Sequence, residues 1–173
     1  EAGVTPLAAL AALEAGVPAA DPGIQAAAKY VRDRAFAEAK TYNVALGVMF
    51  LDRLGDPADA PYIQFLGARL TANMFASGSW AYTVGDPLAD AEAARLRAAF
   101  RTVPRAGALH PEVARVLAAV RGRGAGDGDG SNTQFGLVGL WVAARHGVPA
   151  DDAFALVLRR SLGTQHPDGG WGY

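Results

Sequence analysis

The feature that most constrains this chain is that it repeats itself. Thr41 corresponds to Thr133, Gly47 to Gly139, Arg53 to Arg145, Gly55 to Gly147 and Pro57 to Pro149, all at an offset of 92 residues. Asn73 meets Gln165 at the same offset. Trp80 and Tyr82 meet Trp171 and Tyr173 at 91, so one loop carries one extra residue. The Gly-Val-Pro at 16–18 also resembles the one at 147–149. Self-similarity at a fixed spacing marks supersecondary units that bury their apolar faces against one another. The turn glycines Gly16, Gly55 and Gly147 lie 39 and 92 residues apart. The longer step is about two units, which leaves room for a degenerate unit between.

Each unit reads as two helices joined by a Gly/Pro turn. Residues 5–15 are rich in Ala and Leu, with Thr5-Pro6 as cap and first-turn proline. A second helix opens at Asp21-Pro22. Residues 41–54 predict a third helix, closed by Gly55, and 57–72 a fourth. Residues 133–146 and 150–164 repeat that pair. The hairpins are therefore expected at about 5–36, 41–82 and 131–173, within one domain over 1–173. Residues 83–130 read either as a degenerate hairpin or as a flexible insertion. In that stretch Val113, Val116, Leu117 and Val120 share a helical face, and Gly/Asp-rich 121–130 has the composition of a flexible loop.

Composition narrows the function classes. With 51% apolar and 19% charged residues the chain is globular. Sixteen basic against 17 acidic residues give a net charge of −1, with no electrostatic footprint for nucleic acid. There is no cysteine, which removes disulfides, thiolate metal sites and cysteine nucleophiles. No apolar run reaches the ~20 residues of a membrane-spanning helix. The compartment stays open. The chain opens inside a helical pattern and closes on a loop motif, and is expected to be a piece of a longer protein.

That closing loop is Thr-Gln-His-Pro-Asp-Gly-Gly-Trp-Gly-Tyr, 164–173. Pro167-Asp168-Gly169 has the residues of a tight turn, and Gly170 and Gly172 allow close approach. Trp171 supplies an apolar plate with one N–H donor, and Gln165 sits where the last-turn carbonyls of a helix lack partners. A Gln amide near an indole would pin a helix end to the next hairpin. This structural role is preferred to ligand contact. Gln165-x3-Gly169-Gly170-Trp171 resembles the QW motif of triterpene cyclases such as squalene–hopene cyclase, a repeat shared with protein prenyltransferase β subunits. In mid-chain Asn73 replaces Gln, while Gly78-Ser79-Trp80 keeps the Gly-x-Trp core. The resemblance implies an all-α, α/α-toroid-like partial ring of helical hairpins. Residues 41–54 and 133–146 would be inner helices and 57–72 and 150–164 outer ones, with QW-type loops after the outer helices.

The resemblance also implies where an acid would stand. Triterpene cyclases protonate an alkene with a strong carboxylic acid in a stretch Asp-x-Asp-Asp-Thr-Ala. The matching residues here are Asp129-Gly130-Ser131-Asn132-Thr133-Gln134. Asp129 and Thr133 fit, but Ser131 and Asn132 stand where aspartates are expected, and a serine hydroxyl is far too weak an acid. Asp129 is the one remaining catalytic candidate. Ser131-Asn132 is expected to cap the following helix, and Asp151-Asp152 to favour the start of an outer helix. The prenyltransferase zinc site needs a cysteine. His110, His146 and His166 are scattered. The stretch 126–132 resembles a calcium loop, but Val138 stands where its bidentate Glu would be. No metal or cofactor is expected.

Trp141, Met49 and Phe50 lie on the expected inner helices. They could line an apolar cavity, though core packing is the simpler role for each. The combined reading is a squalene-cyclase/prenyltransferase-like repeat domain, acting as a non-catalytic scaffold or binding module. Its partner would be an apolar or isoprenoid ligand, a protein or a neighbouring domain. The alternative is part of an isoprenoid-processing enzyme, a triterpene cyclase or prenyltransferase, with its catalytic groups elsewhere in the chain.

Overall fold

Eight α-helices carry the structure, a computed structural model that describes residues 3–120 and 124–172. They are α1 (Val4–Glu14), α2 (Pro22–Arg34), α3 (Thr41–Leu54), α4 (Ala60–Ala72), α5 (Asp90–Ala99), α6 (Pro111–Ala118), α7 (Gly130–Ala144) and α8 (Asp151–Thr164). Among the described residues there is no strand, only an isolated bridge between Lys40 and Thr83. The fold is all-α.

Local chemistry sets most boundaries. Asp21 caps α2, accepting from the backbone N–H of Gly23 at 2.8 Å. Gly3, not Thr5, holds the cap position of α1, and no side chain bonds there. The expected helix at 57–72 is divided. Asp56 caps a single 3-10 turn, Pro57–Asp59, and α4 starts after it. The turn glycines Gly16, Gly55 and Gly147 all adopt left-handed backbone, with φ of 90°, 75° and 90°. A side chain there would be strained, which is why the repeat keeps glycine.

α3 is the centre of the packing. It lies against α1, α4 and, most extensively, α7. The first helices of the three hairpins thus form a row, α1–α3–α7. Their C-terminal ends are tied in that order: Arg53 Nε bonds Glu14 at 2.6 Å, and Arg145 and His146 both reach Asp52, His146 Nε2 at 2.9 Å. The α3–α7 crossing is close because α7 presents glycines. A Cβ on Gly139 would lie 2.9 Å from Ala45 Cα, and one on Gly136 would lie 2.6 Å from the Trp80 ring.

Residues 83–130 contribute α5 and α6, with α6 on the flank of α4. Leu96, Phe100 and Val113 are buried there, and Phe100 joins a cluster of rings with Phe36, Tyr62, Phe65 and His110. Val120, placed by periodicity on the same helical face, falls beyond the end of α6. Part of the Gly/Asp-rich stretch, 121–123, lies outside the described residues. Its continuation is pinned. Gly124 O accepts from Ala76 N at 3.1 Å, and Gly128 N donates to Ser79 Oγ at 2.8 Å.

Three buried polar side chains fasten α4 and the 3-10 turn before it to neighbouring elements. Asp59 is fully buried and accepts from Arg32 Nε at 2.6 Å and Nη2 at 2.9 Å. Burial pushes its carboxyl above the usual range, and the guanidinium only partly offsets this. Gln64 donates to Ala108 O and His146 O and accepts from His110 N. Arg69 donates to the carbonyls of Glu38, Val84, Gly85 and Asp86.

Candidate functional site

The residues matched to the cyclase acid stretch stand at the N-terminus of α7. Asp129 is the N-cap. One carboxylate oxygen accepts from Asn132 N and Ser131 Oγ, both at 2.8 Å, and the other from Asn132 Nδ2 at 2.6 Å. The cap is therefore two residues earlier than the sequence suggests; Ser131 and Asn132 serve it as donors. The backbone N–H of Asn132, followed by the two side-chain donors, holds the Asp129 carboxyl below the usual carboxylate range. That environment favours the ion, whereas a proton donor needs its neutral form favoured.

Asp129 opens onto a cleft of about 780 Å³ between the start of α7 and the end of α8. Asp127, Arg160, His166 and Trp171 also line it. Asp127 pairs with Arg160 and accepts from Ser79 Oγ at 2.9 Å. The Ser79 bond, then Arg160, holds its carboxyl low as well. Both acids of the cleft are thus stabilised as anions.

The two Trp loops share one contact. Trp80 Nε1 donates to Leu70 O at 2.8 Å, and Trp171 Nε1 donates to Ser161 O at 2.8 Å, ten residues back in each case. Each indole therefore satisfies an orphan carbonyl in the last turn of the helix before its loop. The amide does not bond the indole. Gln165 Nε2 closes its own loop onto Gly169 O at 2.9 Å, and Asn73 Nδ2 turns back to Arg69 O at 2.9 Å. Gly78 and Gly169 take left-handed backbone in the two loops, while Gly170 donates to Asp168 Oδ1. The loops differ in what covers them. Trp80 is fully buried under Gly136, while Trp171 is 56% exposed. Tyr173 lies outside the described residues.

The three expected cavity residues do not come together. Phe50 is fully buried in the core, and Met49 is half-buried against it. Trp141 is exposed, with the Arg145 guanidinium 5.0 Å from its ring centre. It lines an apolar cleft of about 590 Å³ with Leu137, Phe154, Val157 and Leu158. The histidines have separate tasks. His110 caps α6, His146 pairs with Asp52, and His166 stands in the last loop, where its backbone N–H donates to Gly170 O. Asp151 and Asp152 lie in the first turn of α8, exposed to solvent.

Sequence reasoning missed Arg69 and Gln64, whose partners are backbone carbonyls of distant loops. Comparison with protein-family models, with curated proteins and with solved structures gives no match to this chain. What defines its class is the fold itself, an all-α, repeat-like stack of helical hairpins without cysteine.

Proposed function

We propose that the chain is a squalene-cyclase/prenyltransferase-like repeat domain, part of an α/α toroid, that serves as a non-catalytic scaffold or binding module. The observation that carries this reading is the state of Asp129. The only acid left from the cyclase stretch is a helix cap held as an anion by three hydrogen bonds. The repeated indole-to-helix contact supports the toroid resemblance. The exposed apolar cleft beside Trp141 supports binding, since contiguous apolar surface on a folded protein marks contact with a ligand or partner.

The test has two arms. The protein is incubated with squalene, and separately with farnesyl diphosphate and a thiol peptide, and products are sought by mass spectrometry. No product is expected; a cyclised or prenylated product would overturn the non-catalytic reading in favour of an enzyme. In the second arm, tryptophan fluorescence is titrated with farnesol. A saturable change that Trp141→Ala abolishes is expected for an apolar-ligand site.

A further inference from the structure

Arg69 stands in the wall of a cleft of about 210 Å³, formed by the end of α4, the segment 84–88, α5 and α6. Its guanidinium is engaged only in part. Nη1 donates to Glu38 O, and Nη2 to the carbonyls of Val84, Gly85 and Asp86. Among the described residues Nε–H has no acceptor, and no carboxylate forms an ion pair with the group. Yet Arg69 is only 5% exposed.

Arg32 shows the contrasting arrangement. It is less buried and is neutralised by the carboxylates of Asp59 and Asp56. Carbonyl dipoles solvate the charge of Arg69 without cancelling it. Burial pulls its pKa below the ordinary arginine value, and the more distant charges of Glu38 and Asp86 offset only part of this. A cation that water screens so little attracts an anion more strongly than a surface arginine does. The repeat does not ask for arginine at this position, because Ser161 stands there at the offset of 92.

The remaining wall is largely apolar. Phe65 and Leu96 are buried, and Leu88 and Val116 are half-buried. Two acids also border the cleft. Both oxygens of Glu92 already accept from Arg95, and Asp86 is exposed to solvent. The field of the first is cancelled by its partner and that of the second is screened by water.

We propose that this cleft binds a small carboxylate with an apolar body, one oxygen accepting from Arg69 Nε–H and the body lying on Leu88, Leu96 and Val116. Apolar cavities of about 150 Å³ take up benzene, so a single ring carrying one carboxylate is of the size that fits. The site shares no residue with the Trp141 cleft, and the inference does not rest on the scaffold reading.

The experiment is a calorimetric titration of the whole chain at matched ionic strength. The probes are benzoate, benzyl alcohol, which keeps the ring without the charge, and acetate, which keeps the charge without the ring. Saturable binding of benzoate is expected, with both other probes about tenfold weaker or more, since a hydrogen bond between charged groups is the stronger kind and the ring adds apolar contact. Val116→Phe fills the cleft from α6 and leaves Arg69 in place. Once its circular dichroism spectrum matches the wild type, it is expected to bind benzoate about tenfold more weakly or worse, through the clash. Trp141→Ala is expected to bind benzoate as the wild type does. Heat that does not saturate would overturn the proposal. So would benzyl alcohol or acetate binding as tightly as benzoate, or a folded Val116→Phe that binds unchanged. Loss of benzoate in Trp141→Ala would place the ligand in the other cleft and overturn it too. The comparison of probes on the wild type decides the matter even where Val116→Phe fails to fold, and farnesol binding at Trp141 is read separately.

Discussion

Trp80 and Trp171 are the same residue of one motif in two environments, and truncating each should separate burial from hydrogen bonding. Both indoles donate to a last-turn carbonyl at 2.8 Å, so that contribution is shared. Trp80 is fully buried with Gly136 against its ring. Trp80→Ala removes the apolar contact and leaves a cavity that α7 cannot close, at a cost of about 3–5 kcal/mol. Trp171 keeps less than half of its surface covered. At ~25 cal/mol per Å² on roughly 100 Å², its burial contributes at most about 2.5 kcal/mol against an extended chain. Water fills the space it leaves, so no cavity term is added, and about 1–2 kcal/mol is expected. For a chain of this size each kcal/mol moves the melting temperature by about 2–4 °C. Thermal melts by far-UV circular dichroism should show Trp80→Ala falling clearly further, by about one and a half times or more. Trp80→Phe, which keeps most of the ring and loses the donor, should cost about 1 kcal/mol. Equal losses for the two alanine variants would refute the reasoning.

Two glycine substitutions should have opposite signs. Gly136→Ala meets the Trp80 ring at 2.6 Å and should destabilise by about 1–2 kcal/mol despite the better helix propensity of alanine. Gly163→Ala, inside α8 with open space around it, should stabilise by up to about 1 kcal/mol in the same denaturation assay. Asp129→Ala should cost about 1 kcal/mol at neutral pH through the lost cap. Because the folded carboxyl titrates below its unfolded value of about 3.9, that contribution is complete above the unfolded value and is lost as pH falls through the folded one. Urea melts at a series of pH values should therefore show the wild-type advantage shrinking below about pH 4, and a constant gap would contradict the cap. Arg69→Met leaves the carbonyls of Val84, Gly85 and Asp86 without their buried donor and should cost about 3 kcal/mol or more, read as a lower urea midpoint.

The helices were legible because two independent signals agreed on them. Apolar periodicity gave the bodies of α3, α7 and α8, and the offset of 92 confirmed each against its copy. The positive-φ turn glycines were legible for the same reason, since the repeat kept them where a side chain would be strained. The division of 57–72 was not, because it depends on Asp59 turning inward to Arg32 on α2, and no local pattern marks a carboxylate that will be buried. Arg69 and Gln64 were hidden for a related cause. Their partners are backbone carbonyls at 38, 84–86, 108 and 146, and a carbonyl has no sequence identity to find. The amide and the indole of each Trp loop have separate carbonyl partners, which sequence spacing alone does not assign. In each loop the indole reaches back ten residues, and the amide is left to bond nearer its own position.

Local structure also accounts for the residues at the start of α7 that resemble half of the cyclase acid stretch. An alkene-protonating carboxyl must be destabilised as an anion, by burial or by a like charge, and kept in a dry cavity. Asp129 meets the opposite conditions. It stands at the positive end of a helix, accepts three hydrogen bonds and borders an open cleft. Thr133 is also engaged in structure. Its Oγ accepts from Trp80 N at 3.2 Å, and Thr41, its counterpart 92 residues earlier, donates to Ala81 O. Asp129 thus begins α7, and Thr133 fastens it to the Trp80 loop. Ser131 and Asn132, which stand where the resemblance would place acids, both donate to the cap. Asp129 and Thr133 therefore need no catalytic demand to account for them, because Asp129 caps α7 and Thr133 fastens α7 to the Trp80 loop.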